Sequence, residues 1–163
     1  METLHAPWRI QYILGPKESP GEVSLFTRIG QSSDDIANLV VARARTCFVV
    51  MNRYPYNGGH LLVAPYRQTP DLDGLTDEEL AELFRLVRNC QQVLRRVMKP
   101  DGFNIGINIG KVAGAGVENH LHAHVVPRWN GDTNFMPVVS ATTVLPEALE
   151  ALGARLRGAF NES

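Results

Sequence analysis

Three of the five histidines of this chain alternate with apolar residues in one short segment, residues 120–124. In an extended strand, this period of two would place the rings of His120, His122 and His124 on one face and the intervening apolar side chains on the other. Each imidazole has two ring nitrogens that need partners, so three rings in one patch are not typical of a protein core. The spacing therefore predicts a reactive or ligand-binding surface.

Three interpretations of this surface are open from these residues alone. Imidazole is the commonest protein ligand for zinc and copper, so the histidines could form a transition-metal site. They could instead hold a nucleophile between partners that bind an anion and move protons. The third interpretation is a half-exposed polar strand without a function, which the clustering of three histidines disfavours.

Glycines upstream of the histidines favour the second interpretation, in which the surface binds an anion. Residues 104–110 form another alternating segment, and a run of Ala, Gly, Ala and Gly at 113–116 then leads into the histidines. Because glycine has no Cβ, backbone N–H groups can approach a ligand closely, and consecutive N–H groups in a turn form an anion-binding concavity. The run predicts a phosphate-binding loop, although a flexible connection between two strands has the same composition.

Composition and charge are typical of a small enzyme. The chain has 163 residues and a formal net charge of −1, which predicts one domain with a sizeable core and no global field for nucleic acid or anionic membrane. Cys47 and Cys90 make no disulfide framework. Neither a signal peptide nor an apolar run of membrane-spanning length is evident, so we expect a cytoplasmic protein.

Several elements must position the histidines. Residues 46–51 and 60–65 predict two strands of a hairpin joined by a turn at 54–59. Thr76 and Glu79 form a capping box that predicts the start of a long helix, which ends before Pro100. Pro146 predicts the start of a short C-terminal helix. Further strands are expected at 103–110 and 121–127, and a short extended piece is expected at 9–13.

Strands that meet through turns, with one long helix laid across them, predict an α+β domain with an antiparallel five-stranded sheet and a C-terminal helix. We expect residues 1–22 to form an N-terminal arm and residues 23–163 to form a single catalytic domain. Residues 32–35 predict a surface loop or a helix start. The acidic residues near the start of the long helix are typical of a solvated helix N-terminus rather than of a metal site.

The histidine segment and its flanks resemble a known family. Residues 120–126 match the His-φ-His-φ-His-φ-φ signature of the histidine triad family of nucleotide hydrolases and nucleotidyl transferases. Residues 51–65 resemble the Asn-x-x-Pro-x-x-x-Gly-His segment of that family. The segments 7–13 and 127–137 are similar to the Fhit-like branch, most closely to its bacterial diadenosine tetraphosphate phosphorylases.

The resemblance implies roles for four histidines. His122 matches the family nucleophile, a neutral imidazole that attacks the α-phosphorus while its other nitrogen donates to a carbonyl, that of His120 in family geometry. His124 would contact the phosphate and help to protonate the departing oxygen. His60 matches a remote histidine that supports the strand of the nucleophile, and a purely structural role for it is an equal alternative.

Nucleotide binding calls for hydrogen-bond donors, because negative charge develops on the phosphate oxygens. Asn52 matches the family residue that contacts the ribose hydroxyls, with a turn-stabilising asparagine as the alternative. Apolar residues near Phe48 and Ile29 are candidates for cradling the base, although a core strand predicts the same pattern. The candidates for contacting phosphate are Asn108, Gly114, Gly116 and Asn119, with the amides around Ala115.

The chain departs from the family pattern before the triad. Many members carry a glutamine in an Ala-Gly-Gln segment, whereas residues 113–119 lack it and add one residue before His120. The contact of that glutamine with phosphate is therefore absent. The backbone of Gly116 or the side chain of Asn119 would replace it.

A second departure concerns zinc. Related bacterial proteins hold structural zinc at four positions that align here with Ser24, Thr27, Gln68 and His120. Structural zinc sites are almost always four-coordinate with Cys or His ligands, and three of these four residues are ones that zinc disfavours. We therefore expect no metal and no other cofactor, with local hydrogen bonds in place of the zinc.

The leading hypothesis for function is an enzyme that cleaves dinucleoside polyphosphates of the diadenosine tetraphosphate class at the α-phosphate, by phosphorolysis or hydrolysis, through nucleotidyl-His122. A nucleotide-binding sensor with slow turnover and a nucleoside phosphoramidase are the alternatives. A transition-metal site would leave Asn52 and the Gly-rich loop without a role. The expected partners are a nucleotide and inorganic phosphate. The resemblance also implies a twofold dimer, because family members pair through the long helix and an edge strand, and we expect a second copy of the chain to cover the strand edge at 103–109.

Overall fold

The computed structural model describes residues 23–132 and 147–162. Five strands form one antiparallel sheet with the order β1-β2-β3-β5-β4, which confirms the predicted α+β class. The strands are β1 (Val40–Arg43), β2 (Cys47–Met51), β3 (Leu61–Pro65), β4 (Gly102–Ile107) and β5 (Ala123–Arg128). The helices are α1 (Leu25–Gln31), α2 (Asp77–Met98) and α3 (Leu149–Asn161).

The hairpin of β2 and β3 forms the centre of the sheet. Every residue of both strands is buried, as expected for apolar strands in the interior of a sheet. The turn between them contains Gly59, which has a φ of +80°, and a Cβ there would lie 2.6 Å from Sδ of Met98. Only glycine fits this backbone and this gap, and the turn places His60 directly before β3.

Helix α2 covers one face of the sheet. Its N-terminus has the predicted capping box, in which Glu79 N–H donates to Oγ1 of Thr76 over 3.2 Å and Thr76 N–H donates to the Glu79 carboxylate over 2.8 Å. The helix ends at Lys99, in the left-handed conformation with a φ of 51°, directly before Pro100. Its apolar stripe packs against β2, β3 and β5, and α3 packs beside it against β1.

The alternation predicted around the histidines is confirmed on the apolar side. Leu121, Ala123 and Val125 are buried in the core beneath α2. On the other face, the strand register aligns His124 of β5 with Leu62 of β3, and Leu62 with Val50 of β2. Because α2 covers the sheet face with Ala123 and Val125, the opposite face, which carries His124, is available for a site.

Two elements were not predicted from the sequence. Strand β1 has only four residues and a bulge between Val40 and Ala42, so it carries no regular alternation. Helix α1 has seven residues, too few for a periodic pattern. The expected extended piece at 9–13, the arm at 1–22 and the helix start at Pro146 lie outside the described residues. Residues 32–35 precede β1 as loop and turn.

Both strands at the site are shorter than predicted. Strand β4 ends at Ile107, and β5 begins at Ala123 rather than at residue 121. Before β5, the N–H of Leu121 donates to the carbonyl of Thr69 over 2.6 Å instead of joining the sheet. Among residues 23–132 and 147–162, no helix is long and apolar enough to cross a membrane.

Candidate active site

A cavity of about 330 Å³ lies between α1 and the sheet face that carries His124. Most of its lining is apolar and a few lining groups are polar, which is the usual make-up of a small-molecule site. Helix α1 forms one wall of the cavity. Val50 of β2 and Leu62 of β3 belong to another wall. The lining residues include Phe26, Ile29, Val50, Leu62, His122 and His124.

His122 is held in one tautomer. Its Nδ1 lies 2.9 Å from the carbonyl oxygen of His120, and because a carbonyl only accepts, Nδ1 carries the hydrogen. Burial lowers the pKa of His122 below its ordinary value of 6.5, so the ring is neutral near pH 7. The lone pair is then on Nε2, and this ring is part of the cavity wall. A neutral imidazole with a defined lone pair can act as a nucleophile.

His60 and His124 form a directed pair. The N–H of Tyr56 donates to Nδ1 of His60 over 3.1 Å, so in the neutral ring the hydrogen of His60 is on Nε2. That nitrogen lies 3.0 Å from Nδ1 of His124, which must accept. The hydrogen of a neutral His124 is therefore on its Nε2. His124 lines the cavity and its ring centre lies 4.9 Å from that of His122, so the two rings offer a donor beside a nucleophile.

Asn52 lines the cavity and also stabilises the turn before His60. Its Oδ1 accepts the N–H of Tyr54 over 2.9 Å, and its Nδ2 lies 3.3 Å from Nδ1 of His60. The second contact supplies another donor to the same ring nitrogen, which reinforces the tautomer of His60. The turn-stabilising role considered for Asn52 from the sequence is thus present in the structure.

His120 lies behind the cavity rather than in its wall. It is fully buried, and its Nε2 lies 2.8 Å from the carbonyl oxygen of Pro65 while its Nδ1 lies 2.6 Å from Oγ of Ser24. Burial is the main cause that lowers the pKa of His120. The contribution of His120 to the site is its backbone carbonyl, which holds His122.

Ser24, Thr27 and Gln68 do converge with His120, as their alignment with zinc-binding positions predicts. Oγ1 of Thr27 lies 3.0 Å from Oγ of Ser24 and donates to Oε1 of Gln68 over 3.2 Å, and the N–H of Ser24 donates to the same oxygen over 3.0 Å. Two hydroxyls, an amide oxygen and one imidazole are not a donor set that fits structural zinc. In the described part of the chain, no group of three or more His, Cys, Asp or Glu could hold a metal ion.

The Gly-rich loop reaches the cavity in part. Gly114 and Gly116 line it, and Gly114 has a φ of +87°, which favours glycine. Asn108 and Asn119 are not among the lining residues. Oδ1 of Asn119 is buried and is the one such side-chain atom without a hydrogen-bond partner in the part of the chain that the structure describes.

The apolar wall differs from the expected one. Ile29 lines the cavity, but Phe48 does not, because it is fully buried and stacks on Tyr66 at a ring distance of 5.2 Å. Sequence reasoning missed Phe26, whose ring lies 4.8 Å from that of His122. It also missed Tyr56, which stacks on His124 at 5.9 Å. Tyr56 lies within the segment 51–65 that resembles the family, so its sequence position could have indicated that it belongs to the site.

Comparisons with known proteins agree with this geometry. The HIT domain model matches residues 33–131. The AP-4-A phosphorylase of Mycobacterium tuberculosis is 42% identical over 155 residues, which cover 91% of this chain and 79% of that protein. This chain belongs to the HIT family. Its predicted resemblance to the histidine triad family is therefore confirmed.

Other HIT proteins are similar over smaller or more divergent regions. The asymmetrical bis(5'-nucleosyl)-tetraphosphatase of Schizosaccharomyces pombe is 39% identical over 97 residues, which cover 60% of this chain and 53% of that protein. A zinc-bound histidine triad family protein from Mycobacterium smegmatis has a TM-score of 0.68 at 28% identity, covering 85% of this chain and 94% of that one. The HIT fold of the present chain is thus shared with a relative that is described as binding zinc.

Proposed function

We propose that this HIT protein is an enzyme that cleaves dinucleoside polyphosphates of the diadenosine tetraphosphate class at the α-phosphate. The observation that carries the proposal is the hydrogen bond from Nδ1 of His122 to the carbonyl of His120, which leaves a lone pair on Nε2 in a cavity wall. The names of two relatives, AP-4-A phosphorylase and bis(5'-nucleosyl)-tetraphosphatase, support this substrate class. We assign the activity to residues 23–163 and treat residues 1–22 as an arm.

In the first half-reaction, Nε2 of His122 attacks the α-phosphorus and the bond from that phosphorus to the bridging oxygen breaks. The products are adenylyl-His122 and ATP. His124 can donate from Nε2 to the bridging oxygen as negative charge develops there, because His60 holds its Nδ1 as an acceptor. The carbonyl of His120 stabilises the positive charge that His122 acquires.

We propose that the base binds in the apolar part of the cavity, against Phe26 and Ile29 of α1. Asn52 is positioned to contact the ribose hydroxyls. The amides of the Gly-rich loop, with Gly114 and Gly116 in the lining, are our candidates for the phosphate oxygens. Asn108 and Asn119 remain candidates only for phosphates that extend beyond the cavity.

In the second half-reaction, we propose that inorganic phosphate attacks adenylyl-His122, which releases ADP and restores the histidine. The loop at 113–119 carries small residues in place of the family glutamine, which leaves room for an anion beside the intermediate. The similarity to AP-4-A phosphorylase over most of the chain supports the same choice. Water as the second nucleophile would give AMP.

The covalent step is tested with His122→Asn. We expect turnover of diadenosine tetraphosphate to fall by about 10³-fold or more, as for loss of a covalent catalyst, while the variant still folds and binds AMP. In wild-type protein, a rapid acid-free quench followed by mass spectrometry should detect one adenylyl group per chain. Near-normal turnover of the variant would exclude nucleotidyl transfer, and a wild-type protein that binds substrate without turnover would instead indicate a sensor.

The second nucleophile is tested by resolving ADP from AMP after incubation with diadenosine tetraphosphate, with and without phosphate. Phosphorolysis predicts ADP and ATP in equal amounts and a rate that depends on phosphate. AMP as the partner product under saturating phosphate would show that the enzyme is a hydrolase.

We also propose a twofold dimer that pairs through β4. This strand is at an edge of the sheet and presents Ile105 with 45% of its surface exposed; Ile109, two residues after the end of the strand, is 43% exposed. An exposed edge strand with apolar side chains is usually covered by another element or another chain. Light scattering should give twice the chain mass, and Ile105→Lys should shift the protein to the monomer. A monomeric wild type would contradict this assembly.

A further inference from the structure

Ser24 sits at a junction between helix α1 and the histidines. It is fully buried, and its Oγ accepts the N–H of Thr27 over 3.1 Å, which caps the first turn of α1. The same oxygen lies 2.6 Å from Nδ1 of His120, a residue 96 positions away in the chain. One hydroxyl group therefore joins the helix cap to the residue that precedes the nucleophile by two positions.

The direction of the bond to His120 follows from the other side of the ring. Nε2 of His120 lies 2.8 Å from the carbonyl oxygen of Pro65, which can only accept, so Nε2 carries the hydrogen. In the neutral ring, Nδ1 is then an acceptor, and the hydroxyl of Ser24 must donate to it. His120 is thus fixed on two opposite sides, by Pro65 of β3 and by Ser24 of α1.

Ser24 affects His122 in two ways, through the carbonyl of His120 and through the first turn of α1. The carbonyl of His120 accepts the hydrogen of His122 Nδ1 over 2.9 Å, so the position of residue 120 sets the tautomer and the orientation of the next ring. The cap at Ser24 also fixes the first turn of α1, which places Phe26 against His122 at a ring distance of 4.8 Å. Neither contact requires Ser24 to touch the substrate.

We propose that Ser24 is a positioning residue for the nucleophile: its hydroxyl anchors the ring of His120, and through the carbonyl of His120 it holds His122 in the tautomer that presents Nε2 to the cavity. The kinetic part of this inference rests on the proposed function of the site. The geometric part does not, because the hydrogen bond of His122 can be observed without any substrate.

The experiment compares Ser24→Ala, Ser24→Gly and Thr76→Ala. Replacing an N-cap by Ala destabilises a helix clearly, whereas replacing it by Gly has a much smaller effect. Thr76→Ala removes the cap of α2, where Thr76 bonds Glu79 and has no bond to a histidine, so it is a control for stability loss alone. Both Ser24 variants lose the donor that lies 2.6 Å from Nδ1 of His120, whereas Oγ1 of Thr27 remains 3.4 Å from it and donates to Gln68. The two variants differ in how much of the helix cap they lose.

The readouts are kcat and KM with diadenosine tetraphosphate, and ¹H–¹⁵N NMR of the histidine rings without ligand. We expect both Ser24 variants to lower kcat about 10–100-fold, the usual cost of losing an orienting partner, with KM little changed. The Nδ1 signal of His120 should shift in both, and the Nδ1–H signal of His122 should broaden. Thr76→Ala should leave kcat and both ring signals unchanged.

Two results would overturn the inference. One is a kcat that follows the melting temperature across all three variants, since this would make the role of Ser24 purely structural. The other is an unchanged His122 Nδ1–H signal in both Ser24 variants. If the wild type does not turn over diadenosine tetraphosphate, the proposed function fails, and the NMR result still decides for or against Ser24.

Discussion

Replacement of Gly59 by alanine tests how the turn before β3 positions the site. Gly59 has a φ of +80°, where a residue with a Cβ costs about 1–2 kcal/mol. The new Cβ would also lie 2.6 Å from Sδ of Met98 and 3.1 Å from Cγ of Pro127. The thioether can move but the proline ring cannot, so overpacking adds about 1–3 kcal/mol. We therefore expect Gly59→Ala to lower the free energy of unfolding by about 2–5 kcal/mol.

Gly131→Ala is the matched control. Gly131 has a similar φ of +76°, and nothing lies within 4 Å of the position that its Cβ would occupy. Only the backbone cost of about 1–2 kcal/mol applies there. Urea denaturation of wild type and both variants measures the difference, which we expect to be about 1–3 kcal/mol larger at Gly59. Equal destabilisation of the two variants would refute the argument that packing around this turn requires glycine.

Three further predictions concern protonation and metal. Burial lowers the pKa of His122 and of His120 below 6.5, so the unfolded chain binds protons more readily, and the free energy of unfolding should fall as the pH decreases from about 7.5 to about 5.5. Urea denaturation at both pH values checks this, and higher stability at the lower pH would contradict it. The unmodified protein should contain less than stoichiometric zinc by elemental analysis and keep its activity in chelator; activity that is lost and then restored by zinc would show that a metal is required. Conversely, Ser24→Cys, Thr27→Cys and Gln68→His combined should bind one zinc per chain, because Ser24 and Thr27 contact the ring of His120 and Gln68 contacts both of them; a metal-free triple variant would mean that the four positions do not form a tetrahedron.

Much of the fold follows from local patterns in the sequence. The capping box at Thr76 and Glu79 and the proline at 100 correctly bound α2, because caps and breakers act through neighbouring backbone groups. The period of two correctly predicts that Leu121, Ala123 and Val125 are buried opposite the histidines. Strand β1 was missed because its four residues include a bulge that breaks the alternation, and α1 was missed because seven residues make only about two helical turns.

The sequence by itself thus determined which residue types are close to one another around the triad, through spacing and turn chemistry. The resemblance predicted that His122 donates to the carbonyl of His120, and the structure contains this bond. Only the tertiary structure decided that His60 donates to His124 across the sheet and that His120 accepts from Ser24, the N-cap of α1. The physical reason is that a tautomer depends on the partner at the other side of the ring, and for these rings most partners come from strands or helices tens of residues away, whose register no local pattern encodes.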